Sequence, residues 1–224
     1  MLRAPFILEE LIQGTRSWQM KLSQKLASLL LTISALSSFS LADDAYQTHC
    51  ASCHGASGAG NLSLGAPNLT LFSNAYLERQ LRGFREGWRD TTDPYTQTMT
   101  AAVAALDADV VAAALLAIDQ LPDSREISLK KPAAGDTDRG ADLYTAYCGA
   151  CHGTNAGGND ALGAPSLLGL DAEYLARQYR HFSDGRRGFH ADDRYGKQMN
   201  RLSRSLKDPS LIDDVSAYVA QLSQ

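Results

Sequence analysis

Two pentapeptides hold the residues of this chain best suited to chemistry: Cys50-Ala51-Ser52-Cys53-His54 and Cys148-Gly149-Ala150-Cys151-His152. In each, two thiols three residues apart share one helical turn and a histidine follows directly. Cys-x-x-Cys-His is the attachment signature for c-type haem. Each thiol can add to a haem vinyl group, and the next residue turns its imidazole to the iron from the same side. A neutral imidazole ligates iron well, and its second nitrogen needs an acceptor to fix the tautomer. Other uses of paired cysteines explain less. Zinc-ribbon pairs sit about 15–20 residues apart, whereas 94 residues separate Cys53 from Cys148. A thioredoxin-like redox motif needs a βαβ context that is absent. Simple disulfides leave the histidine after both pairs unexplained.

The far side of each iron needs a second ligand. Beyond residue 42 the chain has two methionines, Met99 and Met199, each about 50 residues after its first cysteine and four after a tyrosine. Methionine often fills core gaps, but that role does not account for matched positions. Both stretches read as polar, non-helical loops. A thioether is a soft ligand, and His/Met ligation raises a haem's potential. His49 is tethered too close to Cys50 to reach the far face of the first haem. His181 and His190 are alternatives to Met199 in the second.

These groups must be held by two copies of one design. A shift of 98 lays Cys50, Cys53 and His54 on Cys148, Cys151 and His152. It also lays Gly65-Ala66-Pro67 on Gly163-Ala164-Pro165, and Tyr76, Leu77, Arg79, Gln80, Phe84 and Gly87 on Tyr174, Leu175, Arg177, Gln178, Phe182 and Gly185. At a shift of 100, Tyr95 and Met99 meet Tyr195 and Met199. Two copies this long are two similar domains, not a solenoid.

Each copy reads as helical. Tyr76, Leu77, Gln80, Leu81 and Phe84 make one face after Ser73, closed by Gly87. Asp171 can cap the matching helix with Tyr174, Leu175 and Phe182. Val110, Val111, Ala114, Leu115 and Ile118 form another, stopped by Pro122. Leu211, Ile212, Val215, Tyr218, Val219 and Leu222 form the last, with Asp208 at its N-cap and Pro209 at the first helical position. No segment sustains period-two alternation. The expectation is an all-α chain of two tandem domains, 43–121 and 139–224, joined by a charged, proline-bearing linker at 122–138. Stretches 55–73 and 85–105 read as irregular. A core of about 80 residues is marginal unless something large and apolar fills it.

The N-terminus reads as a leader. Lys21 and Lys25 precede an apolar run from Leu26 to Leu36, and small residues end at Ser40-Leu41-Ala42, the layout of a secretory signal peptide cleaved after Ala42. The run is too short to span ~30 Å of hydrocarbon unaided. Met20 is the expected true start, with residues 1–19 upstream of it and 20–42 as the signal. Export to the periplasm follows. The chain's 25 acidic and 21 basic side chains argue against nucleic acid as a partner, since phosphates need a basic face. Residues 43–121 hold four basic and nine acidic side chains, and 139–224 hold ten of each. Arg186, Arg187, Arg194, Lys197 and Arg201 crowd the approach to Met199 as a candidate basic docking rim.

Together the two haem motifs, Gly-Ala-Pro segments, Tyr-x-Leu helices and distal methionines resemble dihaem class I c-type cytochromes of the cytochrome c4 type, over nearly all of 43–224. The resemblance implies a cytochrome c fold in each half and a pseudo-twofold pairing with the haems near the joint. It also implies that the carbonyls of Pro67 and Pro165 receive the ligating histidines, and that the chain carries electrons from a quinol-oxidising complex to a terminal oxidase or reductase, with peripheral membrane association as one possibility. The first copy departs at Trp88-Arg89-Asp90-Thr91-Thr92-Asp93, where the second has Arg186 to Asp193. Two rivals stand beside a free carrier: a bound dihaem subunit of a redox enzyme such as a sulfide-oxidising flavocytochrome, and a dihaem peroxidase-type enzyme. The latter needs an open iron position and a distal acid–base group, against which two methionines count.

Overall fold

Helix caps and glycine turns divide the chain into the same elements twice. The computed structural model describes residues 44–124, 134–206, 208 and 210–222. The leader and residues 125–133 therefore lie outside the described residues. In the first half a helical segment α1 (44–49) leads into α2 (Ala51–His54), a 3-10 turn (Leu62–Leu64), α3 (Asn74–Arg85), α4 (Pro94–Ala104) and α5 (Ala108–Gln120). The second half has α6 (Thr137–Tyr147), α7 (Gly149–His152), a 3-10 turn (Asp160–Leu162), α8 (Ala172–Ser183), α9 (Arg194–Ser203) and α10 (Leu211–Leu222). Among the described residues there is no strand, only isolated bridges at Asn61–Ala66, Asn159–Ala164 and Arg89–Arg187. The all-α expectation holds.

Acidic caps start α4, α6, α8 and α9 by accepting from otherwise unpaired first-turn amides. Asp171 takes the Tyr174 amide at 2.9 Å, as its sequence position predicts, and Asp136 takes those of Asp138 and Arg139. Asp208 takes the Ser210 amide at 2.9 Å, an N-cap geometry, although regular helix begins only at Leu211; Pro209 lies outside the described residues. Ser73, at the N-cap of α3, does not cap it and instead donates its hydroxyl to Asp160 of the other half at 3.0 Å.

One expectation fails. Residues 85–105 are irregular only as far as Asp93: α4 occupies Pro94–Ala104 and its counterpart α9 occupies Arg194–Ser203, so Met99 and Met199 stand on helices rather than in loops. Polar runs such as Tyr95-Thr96-Gln97-Thr98 hide the helical period. The start signal was nonetheless present, since Asp93 caps the Thr96 amide at 2.8 Å with Pro94 in the first turn, where proline loses no hydrogen bond.

Each half has its own core. Tyr46, Leu69, Leu77, Ala117 and Ile118 fill the first; Tyr144, Ala176, Ile212, Val215 and Val219 anchor the second. The helix α6 crosses α10 at Gly140, where a Cβ would lie 2.1 Å from the Asp214 carbonyl oxygen. Only glycine permits that approach. Beyond α5, the Ser124 carbonyl accepts from Asn68 Nδ2 at 3.2 Å, returning the chain to the first half.

Candidate functional site

Both Cys-x-x-Cys-His turns are held from beneath by a tyrosine of the preceding helix. Tyr46 donates to the Gly55 carbonyl at 2.7 Å, and Tyr144 to that of Gly153 at 2.6 Å. The turns pack against the Gly-Ala-Pro segments so closely that a Cβ on Gly60 would stand 2.7 Å from the Asn68 nitrogen, and one on Gly158 2.5 Å from that of Ser166. This contact places the histidines. His54 Nδ1 lies 3.0 Å from the Pro67 oxygen, and His152 Nδ1 2.9 Å from that of Pro165. A carbonyl only accepts, so Nδ1 carries the proton and Nε2 keeps its lone pair for a metal. Burial lowers the affinity of both imidazoles for a second proton, the proline carbonyls opposing it. Both are neutral at pH 7, the form that ligates iron.

The four cysteines form no disulfide. Burial, then the neighbouring thiol of its pair, pushes Cys50 up to about 11 and Cys148 up to about 12. Such thiols stay protonated at neutral pH. Among the described residues no group of three or more His, Cys, Asp and Glu is placed to hold a metal ion.

In the second half a cleft of about 1050 Å³, counting its open mouth, is lined by Cys148, His152, Pro165 and Met199 among apolar neighbours. The structure thus brings Cys148, His152, Pro165 and Met199 to one cavity, while Cys151 is exposed and is not part of its lining. It takes the alternatives elsewhere. His181 is buried facing Asp93 of the first half, Nε2 to Oδ1 3.5 Å, and His190 stacks on Trp88 at 5.6 Å between centroids. Neither lines the cleft. Met99 is half-buried at the matching place on α4.

The cleft's rim includes Tyr76, Arg79 and Gln80 of the other half, and these belong to a two-fold joint of the kind the resemblance implies, although its residues were not singled out from the sequence. Arg79 donates to the Gly163 carbonyl at 2.9 Å and lies 4.6 Å over the Tyr195 ring; Arg177 donates to Gly65 at 2.7 Å and lies 4.4 Å over Tyr95. At the centre Arg187 donates to Gln178 at 2.6 Å and to Gln80 at 2.9 Å, while Arg89 donates to the same two amide oxygens. Each of these residues coincides with its partner at a shift of 98, or of 100 for Tyr95 and Tyr195. The duplication was therefore the signal that could have found them.

Arg187 is consequently not part of a docking rim. It is buried, with 6 % of its surface exposed. Arg194 and Arg201 are exposed on α9, with Lys197 half-buried between them and donating to the Ala191 carbonyl at 2.5 Å.

The joint also tests whether haem fits. Among the described residues neither Arg89 nor Arg187 has a carboxylate in ion-pair range; their acceptors are neutral amides. Burial, then the charge of Arg187, pushes Arg89 down to about 9. Two buried like charges are costly without anions. The buried Arg177 Nε and Trp88 Nε1 also find no acceptor. A group with apolar faces and two carboxylates, as haem is, satisfies both needs.

Known proteins agree. The cytochrome c family model matches residues 41–114 and 137–223. A thiosulfate dehydrogenase electron acceptor of Stutzerimonas stutzeri is 33% identical over 78% of this chain and 79% of its own length. The structure of Acidithiobacillus ferrooxidans cytochrome c4 superposes with TM-score 0.62 at 26% identity, over 79% of this chain and 99% of that one. Thiosulfate dehydrogenase (TsdBA) of Marichromatium purpuratum superposes with TM-score 0.61 at 28% identity over 76% of this chain, which spans only 36% of that longer one. A chain with two attachment turns in twin helical halves, matched in both by this family, belongs to the cytochrome c family as a dihaem class I electron-transfer protein with two covalently bound haem c groups.

Proposed function

We propose that this chain is a periplasmic dihaem carrier that accepts electrons from a thiosulfate-oxidising dehydrogenase and delivers them to a terminal oxidase or reductase. The carrying observation is the likeness to a thiosulfate dehydrogenase electron acceptor through both halves, 79% of that protein's length. In this reading 43–121 and 139–224 are the two haem domains, 122–138 links them, and residues 20–42 are an export signal removed after Ala42. Cys50 and Cys53 hold one haem by thioether bonds, Cys148 and Cys151 the other. His54 and Met99 ligate the first iron, His152 and Met199 the second, with Pro67 and Pro165 fixing each histidine's tautomer. Haem supplies one-electron oxidation and reduction at iron. The protein's part would be to hold each iron through a histidine and a methionine, to shield the porphyrin from water and to supply cations for its carboxylates.

The test is direct. Oxidised protein mixed with excess thiosulfate and a catalytic amount of the dehydrogenase should show both haems reduced over successive turnovers, two electrons per carrier molecule, and no reduction by thiosulfate alone. Likeness to cytochrome c4 over nearly all of that protein's length favours a second reading, with a quinol-oxidising complex as donor. Fast reduction by such a complex and none by the dehydrogenase would establish it instead.

A further inference from the structure

His181 breaks the two-fold symmetry of the joint. At a shift of 98 its counterpart is Gly83, whose side-chain space is taken by the Trp88 indole: a Cβ there would stand 3.1 Å from Cε3. His181 itself reaches into the other half, where Asp93 Oδ1 lies 3.5 Å from its Nε2. Both side chains are buried. Asp93 is the N-cap of α4, and its second oxygen takes the Thr96 amide at 2.8 Å. That helix carries Met99. The equivalent cap of α9, Asp193, takes the Gly196 amide at 2.8 Å. Its charged neighbour from the other half is Arg89 instead of a histidine.

We propose that His181 is a positioning residue for the haem of the other half: by holding Asp93 it steadies the helix that presents Met99, so the distal ligation of the first haem depends on the second half. This rests on reading Met99 as an iron ligand. The charged groups around the imidazole are Asp93 and Asp90 from the first half, and Arg177, Arg186 and Arg187 from its own. Burial and the three guanidiniums keep the ring neutral at pH 7 against the pull of Asp93. Turned to the carboxylate as an N–H, Nε2 makes a long polar contact with it and not a hydrogen bond. A neutral amide of similar reach can replace such a donor; an alkyl group or a shorter amide cannot.

The test uses the intact dihaem protein and a readout resolved by haem. In the ferrous protein each methionine-ligated haem gives its own ligand-methyl NMR signal, assigned with Met199→Ala. His181→Leu should perturb the signal of the first haem. It should also speed carbon monoxide binding there by about tenfold, the size of one lost net polar contact. His181→Gln should stay within about twofold of wild type, while His181→Asn, polar but too short to reach Asp93, should behave like the leucine variant. A residue that merely packed its own helix would disturb the second haem, whose cleft the adjacent Phe182 lines. A change confined to the second haem, or none at either, overturns the proposal. If the wild-type protein shows only one methionine-ligated haem, the ligand assignment falls and the proposal with it, a result distinguishable from the other two.

Discussion

Arg89 and Arg187, equivalent residues of the two halves, pair as an antiparallel bridge and donate to the same two glutamine oxygens, those of Gln80 and Gln178. Neither guanidinium belongs to one half alone. A positive charge on this axis favours the reduced form of both irons. Replacing Arg187 with Gln should therefore lower both haem potentials together. The two falls should be of similar size, since the charge sits on the shared joint, and a spectroelectrochemical titration resolves them. A fall in only one potential would show that the joint is not shared.

Replacing Cys148 and Cys151 with Ala should remove one haem and leave the other. Intact mass after acid denaturation should drop by one covalently held haem. The second half should lose most of its stability, because its cleft is filled by that group and its own core is small. A double variant that keeps two covalent haems would refute the assignment of these thiols.

Met199→Ala should lower one potential and open one iron to carbon monoxide. The sequence left His181 and His190 as alternatives, and their placement outside the cleft answers why neither should rescue the variant. Unchanged spectra would mean that another group ligates the second iron.

Spacing alone made much of this molecule legible. Covalent attachment turns need fixed intervals, so both motifs could be read, and the duplication followed from them. Helices such as α5 and α10 were plain because one face is apolar. The helices α4 and α9 were not: the small apolar residues of α4 make no distinct face, α9 is polar along most of its length, and both are fixed by caps. The joint escaped for another reason. Arg79, Gln80 and Arg89 look like solvated surface when one copy is read alone. Only the pairing of the copies turns them inward, which also removes Arg187 from the rim to which its sequence neighbours assigned it.

The tie between α6 and α10 should give the second half an acid limit. Asp214, buried in the first turn of α10, accepts from Arg139 Nε at 2.6 Å and from the Asp136 amide at 2.8 Å. The Arg139 hydrogen bond, joined by the backbone amide and outweighing burial, holds the carboxyl below its ordinary 3.8. A depressed carboxyl stabilises the fold above its unfolded pKa, and that contribution is lost as pH falls through the folded value. Thermal melts from pH 6 downward should therefore be flat until about pH 4 and then fall. Asp214→Asn should start lower and respond less to acid over that range. Identical acid limbs in the two proteins would assign the loss to other carboxylates.

The last expectation concerns how partners approach. Residues 43–121 are acidic, with nine acidic against four basic side chains, while 139–224 balance ten against ten. With Arg187 buried, the basic surface on the approach to Met199 keeps Arg186, half-buried, and a row on α9: Arg194 and Arg201 exposed, Lys197 half-buried between them. Positions three and four apart lie on one helical face, and Met199 points from another face into the cleft. The two haem domains therefore offer partners different charge, which steers encounter more than it strengthens binding. Reversing Arg194 and Arg201 to Glu should slow electron transfer with one physiological partner and leave the other within about twofold. The loss should shrink as salt rises and screens over a Debye length of about 8–10 Å. Both potentials should move little, because these side chains are in water. Stopped-flow rates against ionic strength, measured separately with donor and acceptor, decide it. Equal slowing with both, or none at low salt, would show that the charge split does not sort partners.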